Sequence, residues 1–161
     1  LKDLALHNVY RVSGTAVFMA SSSQFTPPSL LHHFKHNQVL HERVLLLTIQ
    51  VKDIPAVPDN ERVVFDELGE GFHRVTAGYG FMETPNVPRI MQKALDAGII
   101  PTLHPISYYL GRETLITIGR PKNLRWRRSL FAFLSRNSRS AIDYFGIPPN
   151  RVVELGVQIE I

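Results

Sequence analysis

Within the stretch LLHHFKHNQVLHERV, from Leu30 to Val44, stand His32, His33, His36 and His41, four of the chain's seven histidines. Imidazoles at this density can ligate a metal, titrate near neutrality as a pH switch, or sit in the core as hydrogen-bonding groups. On a helix, His32 and His36 share one face a turn apart, the spacing of a zinc-ligand pair, and His41 or Glu42 could add a third ligand across a turn. Two ligands do not make a site, and His41-Glu42 does not continue as H-E-x-x-H. Leu30, Leu31 and Phe34 are expected to take the buried side of the helix. That puts these imidazoles on its polar face, and a buried histidine hydrogen-bonding the backbone at the turn is the plainer reading, with no metal expected.

Other residue types offer less chemistry. Ser21 to Ser23 lack the G-x-S-x-G setting of an activated serine, and the glycines of GEGF and GYGF have neither a strand-to-helix context nor a following GK[ST]. There is no cysteine, hence no thiolate ligand, cysteine nucleophile or disulfide framework. No enzyme activity and no cofactor are expected. Arg112-Glu113 reads first as a structural ion pair at a strand bend, with a ligand-reading arginine as the alternative.

Charge is distributed unevenly. From Arg112 to Arg139 eight basic residues stand against Glu113 alone, so this segment carries +7 of a net +4 and leaves the remainder at −3. Such asymmetry suits a polyanionic neighbour, although a solvated helix face is the commoner cause of a charge run. Within it, RPKNLRWRRSLFAFLSRNSR sets Arg125, Arg127 and Arg128 beside an aromatic stripe, the composition of a helix lying on an anionic membrane face or packing on a sheet. Nucleic acid is not expected, because no strand shows the exposed aromatics that stack on bases.

The elements that must position these groups follow from periodicity. RVSGTAVFMA, Arg11 to Ala20, predicts a first strand, and SSSQFTPP breaks it. Pro27 and Pro28 then open a helix with Asn37 as its left-handed cap. RVLLLTIQV, Arg43 to Val51, is apolar throughout, as in a central strand covered on both faces. RVVFDEL and FHRVTAGYGF flank Gly69-Glu70-Gly71 as a β-hairpin. A helix from about Val87 to Ala97 closes at Gly98, and Ile106 to Ile116 predicts a strand with Gly111 as a kink or turn. Trp126, Leu130, Phe133 and Leu134 give a helix from Leu124 to about Asn137. SAIDYF is a short helical piece, and VVELGVQIEI closes the chain as a strand with one wet face. The fold class expected is α/β: a mixed β-sheet with an inserted β-hairpin and helices packed on it.

With 161 residues, 44% of them hydrophobic, the chain is expected to be one soluble domain, 1–161, with no apolar run of membrane-spanning length. Leu1 in place of Met suggests a piece of a longer protein.

Taken in order, HNQVLHERVLLLTI, VPDNERV, FHRVTAGYGFMETPNVP, SYYLGRETLI, RWRRSLFAFLSRN and YFGIPPNRVVELGVQIEI resemble the C-terminal domain of the KUP family of potassium uptake proteins, from about Tyr10 to the end. His33 departs from the family pattern, which more often has asparagine there, and is expected to have no role common to the family. The resemblance implies a regulatory or assembly domain on the cytoplasmic face of the bacterial inner membrane. Its partners would be the membrane part of the same transporter and anionic inner-leaflet lipid, with a homodimer left open. Potassium and protons would be carried elsewhere in the chain. On this reading His36, His41, Arg112, Arg125, Arg127 and Arg128 are the candidate regulatory or interface residues. The alternative is a module that senses a cyclic dinucleotide.

Overall fold

The computed structural model describes residues 9–116 and 141–160. Six strands form one sheet in the order β3-β4-β2-β1-β5-β6. They are β1 Tyr10–Ala20, β2 Val39–Lys52, β3 Val63–Gly69, β4 Phe72–Gly80, β5 Ile106–Ile116 and β6 Val152–Glu160, with helices α1 Pro28–Asn37, α2 Val87–Asp96 and α3 Ala141–Phe145 between them. The class is α/β, a mixed sheet with helices packed on it.

Five strands run parallel, and β3 alone is antiparallel, paired with β4 at one edge. The turn between β3 and β4 places Gly69, Glu70 and Gly71 all at positive φ (84°, 51° and 76°), which two of the three residues adopt without a Cβ penalty. From β1 the chain crosses through α1 to β2 on one side, and from β4 it crosses through α2 to β5 on the other side of β1. Right-handed crossovers in opposite directions must lie on opposite faces, so the sheet is covered on both.

The period-two alternation of the central strands feeds the two layers. Ala16, Phe18, Val44, Leu46, Phe72 and Tyr109 form one apolar cluster with Leu30 of α1. Val17, Leu45, Leu47, Val75 and Tyr108 form the other with Val87, Ile90, Met91 and Ala94 of α2. Burying a side chain such as Leu45 or Leu47 contributes about 2 kcal/mol each. The α2 residues stand at i, i+3, i+4 and i+7, one helical face. Asn86 starts that helix by accepting the Arg89 N–H at 2.9 Å.

Several expectations are corrected. Leu31 is half exposed and His33 takes its place in the core, because α1 lies rotated toward the Leu30–His33 stripe. The left-handed cap is Gln38 (φ 55°), whose N–H bonds the Phe34 carbonyl at 2.9 Å, while Asn37 is still helical. Gly111 neither kinks nor ends β5, which pairs with β6 on both sides of it. On the edge strand β6 the expected inward Val153 is 41% exposed, since α1 covers this margin of the sheet only partly. The helix read over Leu124–Asn137 lies outside the described residues. No helix among the described residues is long and apolar enough to cross a membrane.

At the carboxyl ends of β2 and β4 two loops are locked together. Glu83 accepts from the backbone N–H groups of Val57 and Gly80 at 2.9 and 2.8 Å and from Arg62 Nη2 at 2.7 Å. The same Arg62 nitrogen donates to the Val57 carbonyl at 2.7 Å, and the guanidinium lies 4.8 Å over the Tyr79 ring. Three charge-assisted hydrogen bonds hold the Glu83 carboxyl at about 2, the Arg62 bond being the largest cause. Asp59 extends the clamp to α2 through Lys93 at 2.7 Å and Arg89 at 3.2 Å.

Candidate functional site

The histidine-rich stretch folds as the last turns of α1, the left-handed Gln38 and the first residues of β2. One turn beyond Leu30, on the stripe that faces the sheet, His33 is 4% exposed. Its ring meets Tyr109 edge-on at 4.7 Å and Phe18 at 5.6 Å between centroids, and Phe18 stacks on Tyr109 at 4.5 Å. His41, half-buried at the start of β2, lies 6.3 Å from His33 and 6.2 Å from Tyr109. The result is a packed aromatic cluster that joins α1 to β1, β2 and β5.

The Asn37 side-chain amide hydrogen-bonds His33 Nδ1 at 2.9 Å, tying the ring to the last turn of α1. His33 Nε2 and His41 Nδ1 are both buried without a hydrogen-bond partner. Burial pushes the His33 pKa below its ordinary value, weakly opposed by the Val39 backbone, and lowers that of His41, assisted by charge repulsion from His33. From outside, Arg11 pins the junction by donating to the carbonyls of His41 and Glu70, both at 2.8 Å, with its guanidinium 5.2 Å over Phe72.

The structure therefore pairs His41 with His33 and not with His36. His36 is exposed and stacks on His32 at 6.2 Å on the outer side of α1. Among the described residues no three histidine, cysteine or acidic side chains converge as a metal site. The backbone of Arg112 lies on β5 opposite Gly156, while Arg125, Arg127 and Arg128 fall outside the described residues. Helical spacing could have singled out His33, which stands at i+3 from Leu30. Its burial was hidden by the equally apolar Leu31.

A second feature was not legible in the sequence. At the carboxyl ends of the parallel strands, beside β1 where the strand order reverses, lies a cavity of about 350 Å³. Open α/β sheets bind ligands in this crevice. Met19, Ile49, Leu110 and Phe145 give it apolar walls, Gly111 leaves one side without a side chain, and Ser29 of α1 also lines it. Ser29 is 2% exposed, and its Oγ has no hydrogen-bond partner. The first turn of α1 offers few other donors, because Pro27 and Pro28 lack N–H groups and the Leu30 and Leu31 amides bond the Pro27 carbonyl. The described lining contains no titratable side chain. Such a cavity can hold an uncharged, largely apolar group with one polar atom directed at Ser29.

Comparison with known proteins covers this whole unit. A family model described as the K+ potassium transporter C-terminal domain matches residues 13–161. A probable potassium transport system protein, Kup 1, of Syntrophobacter fumaroxidans is 65% identical over 99% of the chain, which spans 24% of that relative. A second one from the same organism, Kup 2, is 55% identical over the entire chain and 25% of its own length. The Kup protein of Myxococcus xanthus is 53% identical over 96% of the chain and 24% of its length. The chain thus spans about a quarter of the relatives it matches. No solved structure matches it.

Proposed function

The chain belongs to the potassium transporter C-terminal domain family, and from that premise we propose that it is the cytoplasmic regulatory and assembly domain of a KUP-type potassium importer. The observation that carries this is one of coverage: nearly the whole chain aligns with potassium transport proteins, yet only with about a quarter of each. On this reading low-affinity, proton-coupled potassium import belongs to the remaining three-quarters, and this domain binds that membrane part and sets its activity. It catalyses no reaction of its own. Arg112, Arg125, Arg127 and Arg128 supply positive charge toward the anionic inner leaflet, each contributing about 1 kcal/mol near such a surface. The α1–β2 junction, where His41 faces His33, is where cytoplasmic pH would act. Deleting the domain from a full-length transporter is expected to change the rate of potassium uptake at an unchanged membrane level. An uptake rate equal to that of the intact transporter would dismiss a regulatory role.

A second reading, a module sensing a cyclic dinucleotide, draws on the cavity beside β1. Its volume suits one base rather than the whole molecule, so the second half of the ligand would extend outside. Titration of the chain with a cyclic dinucleotide is expected to release heat and raise the melting temperature. Neither change would leave the assembly reading alone.

A further inference from the structure

Helix α1 packs on β1, β5 and β6, and leaves Leu46 and Thr48 of β2 and Arg74 of β4, on the same face, to the loop that follows β1. Ser22 to Thr26 drape over this part of the sheet, with the loop braced by the Gln24 N–H donating to Ser22 Oγ at 3.2 Å. Beneath them is a groove of about 30 Å³ whose polar lining is Ser22, Ser23, Gln24, Thr26, Thr48 and Arg74. Among the described residues it shares no lining with the larger cavity.

Two of these groups lack the partners that folding normally provides. Thr48 is 2% exposed and its Oγ1 makes no hydrogen bond, a buried donor left open at the floor. Arg74, half-buried on β4, takes part in none of the ion pairs or side-chain hydrogen bonds among the described residues. Its register partner on β3 is Asp66, yet the two carry no ion pair. A partly desolvated guanidinium without an acceptor, facing a buried hydroxyl and a loop of serines, is electrostatically complementary to an oxyanion. The space exceeds the roughly 10–15 Å³ that one water needs.

We propose that this groove is an oxyanion site that takes a phosphate group, Arg74 gripping two of its oxygens while Thr48 Oγ1 and the loop hydroxyls donate to the rest. The phosphate belongs either to a small phosphorylated solute or to a lipid headgroup. The site is independent of the cyclic-dinucleotide reading.

The test titrates inorganic phosphate into the isotopically labelled 161-residue chain at constant ionic strength, following the amides of Ser22–Thr26 and the Arg74 Nε–H by NMR. Saturable shifts confined to these groups are expected. Arg74→Gln should weaken binding about tenfold or more, the size of effect a lost charge-assisted bond produces. Thr48→Val should weaken it about threefold at an unchanged urea midpoint, which a purely structural threonine would not do. Arg43→Gln, an exposed arginine of β2 outside the groove, should bind as the parent does. If Arg74→Gln fails to fold, Arg74→Lys keeps the charge without the fork and should still lose affinity about threefold. Sedimentation with phosphatidylglycerol vesicles separates the sources. Arg74-dependent binding that phosphate competes away assigns a lipid headgroup, and saturation by phosphate without vesicle binding assigns a solute. Absence of saturable shifts with no Arg74-dependent vesicle binding, equal affinity in the Arg74 variants and the parent, or equal losses at Arg43 and Arg74 overturns the proposal.

Discussion

His33 of α1 and His41 of β2 face each other across the α1–β2 junction with their rings 6.3 Å apart, and each keeps one buried nitrogen without a hydrogen-bond partner. Around them stand Phe18, Tyr109 and the Asn37 amide, with Arg11 bonded to the backbone carbonyl of His41 and not to its ring. Among the described residues, no carboxylate in this shell rewards protonation of either ring.

Stability should therefore fall as the solution is acidified. Both folded pKa values lie below the ordinary 6.5, as does that of buried His73, so the unfolded chain binds more protons on the acid side. The stabilisation is fully present above pH 6.5 and is lost as pH falls from there through the folded values. Each histidine can contribute a slope of up to about 1.4 kcal/mol per pH unit in that window. Urea midpoints measured between pH 8 and 5 should show the decline, and His33→Asn should make it shallower. A flat profile would mean that the junction admits a proton without cost.

At the cap the two polar residues should behave oppositely. Asn37→Ala removes the amide that holds His33 Nδ1 and should cost about 1 kcal/mol. Gln38→Gly relieves a side chain held at φ 55° and should gain about 0.5–1 kcal/mol. Thermal denaturation of the two variants side by side decides both signs.

In strong acid a different pair controls the loops. The Glu83 carboxyl is held at about 2 against an ordinary 4.5, chiefly by Arg62. Its stabilisation is present above pH 4.5 and disappears as pH falls from there toward 2. Glu83→Gln should remove that part of the acid transition and leave the histidine-dependent part intact. Removing the other partner, in Arg62→Ala, should cost about 2 kcal/mol at neutral pH, read from the urea midpoint.

The backbone of Gly80 has no room for a side chain. A Cβ there would stand 2.2 Å from the Pro55 carbonyl oxygen, a backbone atom held in place by the Met82 N–H. Gly80→Ala should destabilise by about 3 kcal/mol, whereas Gly111→Ala, whose nearest neighbour would be Ser29 Cβ at 3.9 Å, should be tolerated and should narrow the cavity. Comparing the melting temperatures of the two alanine variants checks the contrast.

The local elements were legible because their signals are local. Pro27-Pro28 marks the start of α1, the unbroken run from Val44 to Thr48 marks a strand buried on both faces, and Gly69-Glu70-Gly71 marks the turn into β4. The order of strands was not legible, because it depends on which backbone edges meet at long range. The crevice beside β1 exists only once β2 and β5 settle on either side of that strand.

The site divides the same way. Sequence by itself set the density of histidines and the alternation of strand and helix patterns, both carried by residue type and spacing, and its ordered motifs carried the resemblance to the family. Only the tertiary structure decided which imidazole enters the core. Leu31 and His33 both stand where the helix could face the sheet, and the rotation of α1 against Phe18 and Tyr109, a packing choice made by residues far apart in the chain, buries His33 and leaves Leu31 half exposed.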